Sequence, residues 1–323
     1  MTLKALITTV PFASYNKLPL EMLSGSGIDY VINPIGRRLT EVELAELAAD
    51  FDILIAGTEP ITRKVFDAAP NLRLVARVGI GLDNVDLHAA RDRGIAVTYT
   101  PDAPAPAVAE LAIGHMLALL RSTHIANLQM RRGEWSRIFG RRIPEVTIGV
   151  IGAGRIGGRV LRRISAFGSP RVLVNDISPN MTIAPDLKLE WVSKDEIYQQ
   201  ADVITLHVPL TRDTRGLVGE AELRMMKPDA LLINTARGGI VDEDALYRVL
   251  ADGHLGGAAV DVFSEEPYSG PLIEFDRCLL TCHMGSMSID CRTRMEIEAT
   301  EEAARLATGK PYKSVVPDSE YAL

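Results

Sequence analysis

Residues 148–160, IGVIGAGRIGGRV, place three closely spaced glycines directly after a short apolar run. The apolar run is typical of a buried strand, and Gly152, Gly154 and Gly157 follow in the spacing G-x-G-x-x-G. Glycines at these positions permit a tight turn and close approach to the backbone. A helix that begins at such a turn presents unpaired N–H groups to an anion. The segment therefore predicts a strand, a turn and a helix that bind the pyrophosphate of a dinucleotide, with a glycine-rich turn that binds no ligand as the alternative.

The next strand pattern, RVLVND, ends in Asp176. A carboxylate at that place can accept hydrogen bonds from both hydroxyls of an adenosine ribose. It would repel a 2′-phosphate by about 4 kcal/mol at ~4 Å in a medium of effective dielectric constant ~20. The residues that follow are Ile177, Ser178 and Pro179, and none of them brings a compensating positive charge. The sequence therefore predicts NAD rather than NADP as the cofactor.

Composition narrows the class of protein. The chain has 323 residues, 47% hydrophobic and 24% charged, which suits a globular protein of two domains. The formal net charge of -7 argues against a nucleic-acid partner, and no apolar run is long enough to span a membrane. Three cysteines, an odd and sparse number, favour a reducing cytoplasm, and no set of cysteines and histidines completes a metal site. We expect a cytoplasmic protein without a bound metal.

Short strands alternate with helices along most of the chain, which predicts an α/β architecture with parallel sheets. Eleven strands are predicted, at residues 5–9, 30–32, 53–56, 74–78, 96–99, 147–151, 172–175, 203–207, 230–234, 258–261 and 279–281. Helices are predicted from Thr40, which Glu43 can cap reciprocally, over residues 85–93, and beyond Gly285 to about Thr308. Because the last helix follows a complete second domain, we expect it to return to the first. The predicted domains are residues 1–100 with 286–323, and residues 101–285.

Three ionisable side chains follow predicted strands of the second domain: Arg237, Glu266 and His283. In a doubly wound sheet, ligands bind at the carboxyl ends of the strands. An arginine can bind a carboxylate through two parallel hydrogen bonds, a histidine can exchange a proton near neutral pH, and a neighbouring glutamate favours the charged imidazole. Together with a nicotinamide, these groups suit the reduction of a 2-oxo acid.

Two of these residues also have a structural interpretation. Arg237 could cap a helix or pair with Asp242, and Glu266 could be a solvated loop acid. His207, at the end of a predicted strand, is expected to line the cofactor cleft without doing chemistry. The other four histidines are interpreted as helix or turn residues: His88, His115, His124 and His254.

The motifs resemble those of the D-isomer-specific 2-hydroxyacid dehydrogenases, over about residues 53–309. The motifs that carry the resemblance are VARVGIGLDNVD (75–86), GAGRIG (152–157), NTARGGIVDEDAL (234–246), AVDVFSEEP (259–267) and CHMGS (282–286). The resemblance implies a Rossmann nucleotide-binding domain inserted into a flavodoxin-like substrate domain. It implies that Arg237 binds substrate, that His283 is the acid/base and that Glu266 supports it. It also implies a homodimer formed through the nucleotide domain.

The resemblance assigns further contacts. Val78 and Gly79 would offer backbone N–H groups to the substrate carboxylate, and Asp261 would lie near the cofactor carboxamide. The residues expected to line NAD are Ile80, Gly152, Gly154, Arg155, Ile156, Gly157, Asp176, Val208, Thr235, Ala236, Asp261 and Gly285.

Within the family, the motifs are most similar to those of short-form phosphoglycerate dehydrogenases, with no regulatory domain expected after Leu323. Many such members carry Arg-Ser after the third strand, whereas LIAGTEP places Gly57 and Thr58 there. The candidate substrates are therefore 3-phosphoglycerate with its oxo acid, or the pair hydroxypyruvate and glyoxylate. A second hypothesis is an NAD(H)-sensing binding protein similar to the corepressors that share this scaffold.

Overall fold

The computed structural model describes residues 2–322 and contains two compact units. One unit, here called the terminal unit, is formed by both ends of the chain, up to Pro104 and from Met287 onward. The other, here called the central unit, is Ala105–Ser286. No helix among the described residues is long and apolar enough to cross a membrane.

The terminal unit is built on a five-stranded parallel sheet in the order β2-β1-β3-β4-β5. The strands are β1 Leu3–Ile7, β2 Ile28–Ile32, β3 Ile53–Ala56, β4 Leu74–Arg77 and β5 Ala96–Thr98. The helices are α1 Leu18–Gly25, α2 Glu41–Ala48, α3 Arg63–Ala68, α4 Leu87–Asp92 and α11 Ile289–Ala307, and a 3-10 turn covers Asp318–Ala322. This strand order is the flavodoxin-like order, with its switch point between β1 and β3.

The central unit is built on a seven-stranded parallel sheet in the order β12-β11-β10-β9-β6-β7-β8. The strands are β6 Thr147–Ile151, β7 Arg171–Asn175, β8 Leu189–Trp191, β9 Val203–Leu206, β10 Leu231–Asn234, β11 Gly257–Val260 and β12 Cys278–Leu280. The helices are α5 Ala105–Leu120, α6 Thr123–Arg131, α7 Gly157–Ile164, α8 Lys194–Gln200, α9 Glu220–Met225 and α10 Glu243–Ala251, with 3-10 turns at Ile143–Glu145, Ser165–Phe167 and Pro271–Glu274. This is the Rossmann order, extended by one strand, with the switch point between β6 and β9. The predicted fold class, two doubly wound parallel sheets, is confirmed.

Local signals in the sequence account for several helix ends. Thr40 and Glu43 cap α2 reciprocally, as predicted. The helix predicted over residues 85–93 is shorter, because the Asp86 side chain accepts a hydrogen bond from the Ala89 N–H and so begins α4 at Leu87. The last helix ends at Ala307, close to its predicted end at Thr308.

The observed strands differ from the predicted ones in their bounds and in their number. Several end one or two residues earlier than predicted, and β1 and β2 begin two residues earlier, at Leu3 and Ile28. One strand, β8, was not predicted. It is a three-residue edge strand, half-buried, with Glu190 at its centre, so it lacks the apolar run on which strand prediction depends.

Candidate active site

The glycine turn between β6 and α7 has no room for side chains at two of its positions. Gly152 has φ 92°, and a Cβ there would lie 2.6 Å from the His207 carbonyl oxygen. A Cβ on Gly157 would lie 1.9 Å from the Gly152 carbonyl oxygen. Both glycines are thus required by close backbone packing at the start of α7, where unpaired N–H groups can bind an anion.

Asp176 follows β7 and contacts this turn directly. Its Oδ2 accepts a hydrogen bond from the Ala153 N–H at 2.6 Å, and its Oδ1 accepts one from the Ser178 N–H at 2.8 Å. Each carboxylate oxygen has two acceptor positions, so each can still accept a hydroxyl. The next residue, Ile177, is fully exposed. The acid is therefore fixed beside the glycine turn, with capacity for two ribose hydroxyls.

The remaining residues predicted to line the cofactor in the central unit lie around the same strand ends. The Val208 side chain contacts the position that a Gly152 Cβ would occupy, and Ala236 is buried beside Thr235 after β10. The Thr235 Oγ1 is buried and has no hydrogen-bond partner among the described residues. An unsatisfied hydroxyl at a strand end is suited to a polar group of a ligand. Arg155 is exposed and Ile156 is half-buried.

Arg237 lies in a turn that the Asn234 side chain holds. The Asn234 Oδ1 accepts from the Ala236 N–H at 3.1 Å, and its Nδ2 donates to the Arg237 carbonyl at 2.9 Å. The Arg237 Nη1 donates to the Ala236 carbonyl at 2.7 Å. The following residue, Gly238, packs so closely on the Phe263 backbone that a Cβ would lie 2.0 Å from its carbonyl oxygen. The glycine thus brings the arginine turn against the loop that contains Glu266.

His283 and Glu266 form the pair that the sequence predicted. The His283 Nδ1 lies 3.1 and 2.9 Å from the two Glu266 carboxylate oxygens. Their side chains are 34% and 25% exposed, so the pair is accessible to a ligand without being fully solvated. An ionised carboxylate only accepts hydrogen bonds, so Nδ1 carries a proton and Nε2 is the ring nitrogen that can exchange one.

Asp261 has a task that the sequence did not reveal. It is fully buried, and its Oδ1 accepts from the Thr281 Oγ1 at 2.6 Å and the Met284 N–H at 2.8 Å. Its Oδ2 accepts from the Gly285 N–H at 2.8 Å, and its carbonyl accepts from the His283 N–H at 2.8 Å. Besides the predicted contact with the cofactor carboxamide, Asp261 thus has a structural role. Most of the hydrogen-bond acceptor positions of its carboxylate bind the loop that contains His283.

His207 is held close to the glycine turn but is not suited to proton transfer. Its Nε2 lies 3.0 Å from the Thr205 Oγ1, and its Nδ1 is buried with no partner among the described residues. Burial lowers the pKa of His207 to about 3, because the charged imidazole would be desolvated. The ring is therefore neutral at every physiological pH.

In the terminal unit, one predicted substrate contact needs correction. The Val78 N–H donates to the Ala56 carbonyl at 2.8 Å as part of the sheet, so it is not available to a substrate as the resemblance implied. Gly79 and Ile80 lie beyond the strand end and are half-buried, and the Gly79 carbonyl accepts from the Thr100 N–H at 3.0 Å.

The same edge of the terminal unit contains an acid that the sequence analysis did not identify. Glu59 is 1% exposed, and its Oε1 accepts hydrogen bonds from the Thr8 hydroxyl and, at 2.9 Å, from the Gly57 N–H. The Asn84 side chain donates to the Gly57 and Glu59 carbonyls at 3.3 and 2.6 Å. A buried carboxylate with two donors thus lies at the switch point between β1 and β3.

Within the described residues, no group of three or more His, Cys, Asp or Glu side chains could hold a metal ion. Cys278 is buried, and its burial raises the pKa of the thiol to about 12. It is therefore present as a neutral thiol, and a thiol is a poor metal ligand.

Comparison with known proteins places this site in a family context. Residues 113–285 match the model of the D-isomer specific 2-hydroxyacid dehydrogenase NAD binding domain. A D-3-phosphoglycerate dehydrogenase of Methanocaldococcus jannaschii is 39% identical over 86% of this chain, and the chain spans about half of that relative (54%). A hydroxypyruvate reductase of Thermotoga maritima is 36% identical over 82% of this chain and 87% of its own length.

Solved structures agree with the sequence matches. A glyoxylate reductase from Paecilomyes thermophila superposes with a TM-score of 0.85 at 28% identity, covering 98% of this chain and 99% of its own. D-lactate dehydrogenase from Aquifex aeolicus, complexed with NAD and lactic acid, gives a TM-score of 0.84 at 25% identity, covering 95% of this chain and 96% of its own.

Proposed function

The chain belongs to the D-isomer-specific 2-hydroxyacid dehydrogenase family, and we propose that it interconverts a D-2-hydroxy acid and its 2-oxo acid with NAD. The observation that carries this proposal is the half-exposed pair of His283 and Glu266, with Nδ1 2.9 Å from Oε2. The pair belongs to the unit whose glycine turn and Asp176 suit a dinucleotide. A proton donor and a hydride carrier are the two groups that carbonyl reduction requires.

The residues of the central unit fit NAD. NAD would be held by the closely packed Gly152 and Gly157, by the remaining acceptor capacity of Asp176, and by the buried Thr235 Oγ1, which has no hydrogen-bond partner within residues 2–322. The chemistry that NADH supplies when bound is a hydride for the carbonyl carbon of the substrate. The acidic Asp176 disfavours the 2′-phosphate of NADPH by charge repulsion.

The chain's own groups complete the reaction. Arg237 has the planar fork that binds a 2-oxo-carboxylate through parallel hydrogen bonds, and it orients the carbonyl. The His283 Nε2 donates a proton to the carbonyl oxygen as the hydride is transferred, and it accepts that proton in the reverse direction. Glu266 fixes the imidazole through Nδ1 and stabilises its protonated form. In the terminal unit we retain the Gly79 backbone as a carboxylate donor and withdraw Val78.

We favour a substrate without a phosphate group, of the hydroxypyruvate or glyoxylate type, over 3-phosphohydroxypyruvate. Residues 57–59, Gly-Thr-Glu, bring no cation of their own to the end of β3, and they bring a buried acid, Glu59. The arginines at this strand end, Arg38 and Arg77, donate to the Thr58 and Ala56 carbonyls, both at 3.2 Å. A carboxyl side chain offers no positive charge to a phosphate group. The terminal unit is then the substrate domain and the central unit the NAD domain.

We also propose a cytoplasmic homodimer formed through α6 and the segment that follows it, residues 132–142. None of the residues of α6 is buried. Met130, Trp135 and Phe139 are 55%, 78% and 102% exposed, and such apolar side chains on one segment are typical of an interface between copies. Sedimentation of the parent and of Trp135→Ser with Phe139→Ser tests the dimer, since the variant should be monomeric.

The experiment that tests the activity is NADH oxidation with glyoxylate, hydroxypyruvate, pyruvate and 3-phosphohydroxypyruvate, monitored by loss of NADH absorbance. We expect turnover with at least one unphosphorylated acid, and a loss of about 10³-fold in kcat/KM for His283→Gln. A folded parent that binds NADH but reduces none of the four acids would overturn the enzymatic proposal in favour of a binding protein.

A further inference from the structure

A hydrogen-bond chain leads from the buried His115 of helix α5 to the loop that contains His283. His115 is 4% exposed, and its Nε2 lies 3.2 Å from the Thr281 Oγ1. The Thr281 hydroxyl donates to the Asp261 Oδ1 at 2.6 Å. A hydroxyl has one proton, and Asp261 accepts it, so the His115 Nε2 must be the donor in its contact with Thr281. The direction of the whole chain is therefore determined: His115 to Thr281 to Asp261.

The end of this chain controls the backbone on both sides of His283. The Asp261 carboxylate accepts from the Met284 and Gly285 N–H groups, both at 2.8 Å, and its carbonyl accepts from the His283 N–H. His283 has φ 53°, a left-handed conformation that residues with a Cβ rarely adopt. Such a conformation persists only where surrounding contacts enforce it, and the Asp261 contacts do so here.

His115 suits a fixed donor rather than a titrating group. Burial lowers the pKa of His115, while the Asp261 charge raises it and His124 lowers it further; the net direction is downward. The ring is therefore neutral at neutral pH, with its proton on Nε2. A neutral donor fixes the Thr281 rotamer without adding a charge near the carboxylate.

We propose that His115 is a positioning residue for His283, acting through Thr281 and Asp261. By fixing the carboxylate that binds the loop, it keeps the imidazole in contact with Glu266. Without the His115 donor, the Thr281 hydroxyl is held by Asp261 alone, and the loop is less firmly fixed in its left-handed conformation. The Glu266 contact then weakens, and the protonated imidazole is less stabilised. This inference builds on the proposed function, since it assumes that His283 is the acid/base.

Four variants test the proposal in the full-length protein. His115→Leu and Thr281→Val remove the donor or the relay. His115→Gln keeps an N–H donor at a similar distance along the side chain. His254→Leu is the matched control, because the His254 ring makes its hydrogen bond elsewhere in the same unit, from Nε2 to the Met226 carbonyl at 2.9 Å.

For His115→Leu and Thr281→Val, kcat for reduction should fall about 10-fold, less than the ~100-fold that a 1 Å misplacement of reacting groups can cost. The basic limb of kcat/KM should move to lower pH, as it should for Glu266→Gln. His115→Leu in the Glu266→Gln background should shift that limb no further, since both changes act through one contact. His115→Gln should recover most of the activity, and His254→Leu should change neither kcat nor the limb.

An unshifted limb in His115→Leu, an additive shift in the double variant, or an equal effect of His254→Leu would each overturn the proposal. Should His115→Leu fail to fold, Thr281→Val gives the same decision, and a His115→Gln variant that loses as much activity as Thr281→Val would overturn the proposal. If the parent reduces no oxo acid, the proposed function fails separately. The positioning claim is then decided by NMR titration of the His283 ring in ¹³C-histidine-labelled protein. Its midpoint should move to lower pH in both His115→Leu and Thr281→Val and stay unchanged in His254→Leu; an unmoved midpoint in His115→Leu would overturn the proposal.

Discussion

Each of the two sheets has an acidic side chain beyond the carboxyl end of one of its strands, but the two acids have different surroundings. In the terminal unit, Glu59 is 1% exposed and accepts from the Thr8 hydroxyl and the Gly57 N–H. In the central unit, the Glu266 side chain is 25% exposed and contacts the half-exposed His283. Both acids follow a strand of a parallel sheet. One carboxylate is enclosed by groups of its own fold, whereas the other holds a group that can exchange protons with a ligand.

The difference shows that a polar side chain at the end of a parallel strand does not by itself make a reaction centre. Strand ends collect polar side chains and unpaired backbone groups at one edge of any doubly wound sheet. Where those groups satisfy one another, as at Glu59, the result is a stable loop. Where a titratable pair is left half-exposed, as at His283, the result is a candidate reaction centre.

The largest expected effect separates these two edges. His283→Gln should lower kcat/KM for reduction by about 10³-fold, because a positioned general acid contributes roughly 10²- to 10⁴-fold. Glu59→Gln keeps the shape of its side chain and should leave turnover of an unphosphorylated acid within about 3-fold, since it takes no part in proton transfer. Steady-state kinetics of both variants check the contrast. Equal losses would show that the terminal edge is as catalytic as the central one.

Arg237→Lys is expected to have the next largest effect. Lysine keeps the charge but lacks the planar fork, so kcat/KM for the oxo acid should fall by roughly 10²- to 10³-fold, with NADH affinity almost unchanged. Kinetics and NADH titration measure the two quantities. Arg248→Lys, at an exposed ion pair with Glu220 in the same unit, is the control and should match the parent. Near-normal kinetics for Arg237→Lys would remove Arg237 from substrate binding.

The third largest expected effect is the preference for NADH over NADPH. The parent should prefer NADH to NADPH by at least ~100-fold in kcat/KM, which corresponds to about 2.7 kcal/mol. Asp176→Ala should reduce that ratio, because it removes the charge that repels the 2′-phosphate. Asp213→Ala removes an exposed acid from the same unit and should leave the ratio unchanged. Comparable rates with both cofactors in the parent would contradict the role of Asp176.

A His207 variant tests whether the central unit, like the terminal unit with Glu59, has a buried titratable side chain at its strand ends. Its folded-state pKa of about 3 lies below the ordinary value of 6.5, so below pH 6.5 the unfolded chain binds the proton more strongly. The stability from this group is complete above pH 6.5 and is lost as the pH falls toward 3. Between pH 7 and pH 5 the parent should therefore lose about 1 to 2 kcal/mol more unfolding free energy than His207→Gln. Urea unfolding at both pH values measures the difference, and parallel losses would show that the ring is hydrated.

The smallest expected effect concerns the pair itself. Glu266→Gln preserves the side-chain shape but removes the charge that stabilises the imidazolium, so the basic limb of kcat/KM for reduction should move to lower pH by about one unit. The acidic limb for oxidation should move in the same direction, because oxidation needs the neutral imidazole. Paired pH–rate profiles provide the measurement. Unmoved limbs in a folded variant that binds NADH would leave Glu266 as a loop acid.

Features that depend on neighbouring residues were predictable from the sequence. The strand and glycine turn of residues 148–157, the capping box of Thr40 and Glu43 and the α/β alternation are encoded in short windows, where periodicity and turn chemistry act directly. The proximity of Glu266 and His283 was also predicted, since adjacent parallel strands bring their ends to one edge. Their catalytic roles stay predictions until the variants are measured.

Features that depend on distant partners were decided only by the tertiary structure. The Val78 N–H could be assigned to the sheet only once β3 and β4 were aligned, and β8 forms because β7 offers it an edge. Glu59 meets Thr8 across 51 residues, and His115 meets Thr281 across 166 residues. A hydrogen bond depends on distance and angle within a few tenths of an ångström, and no short window of sequence determines those. The sequence therefore determined which chemical groups reach the strand ends, and packing decided which of them bind each other and which remain for a ligand.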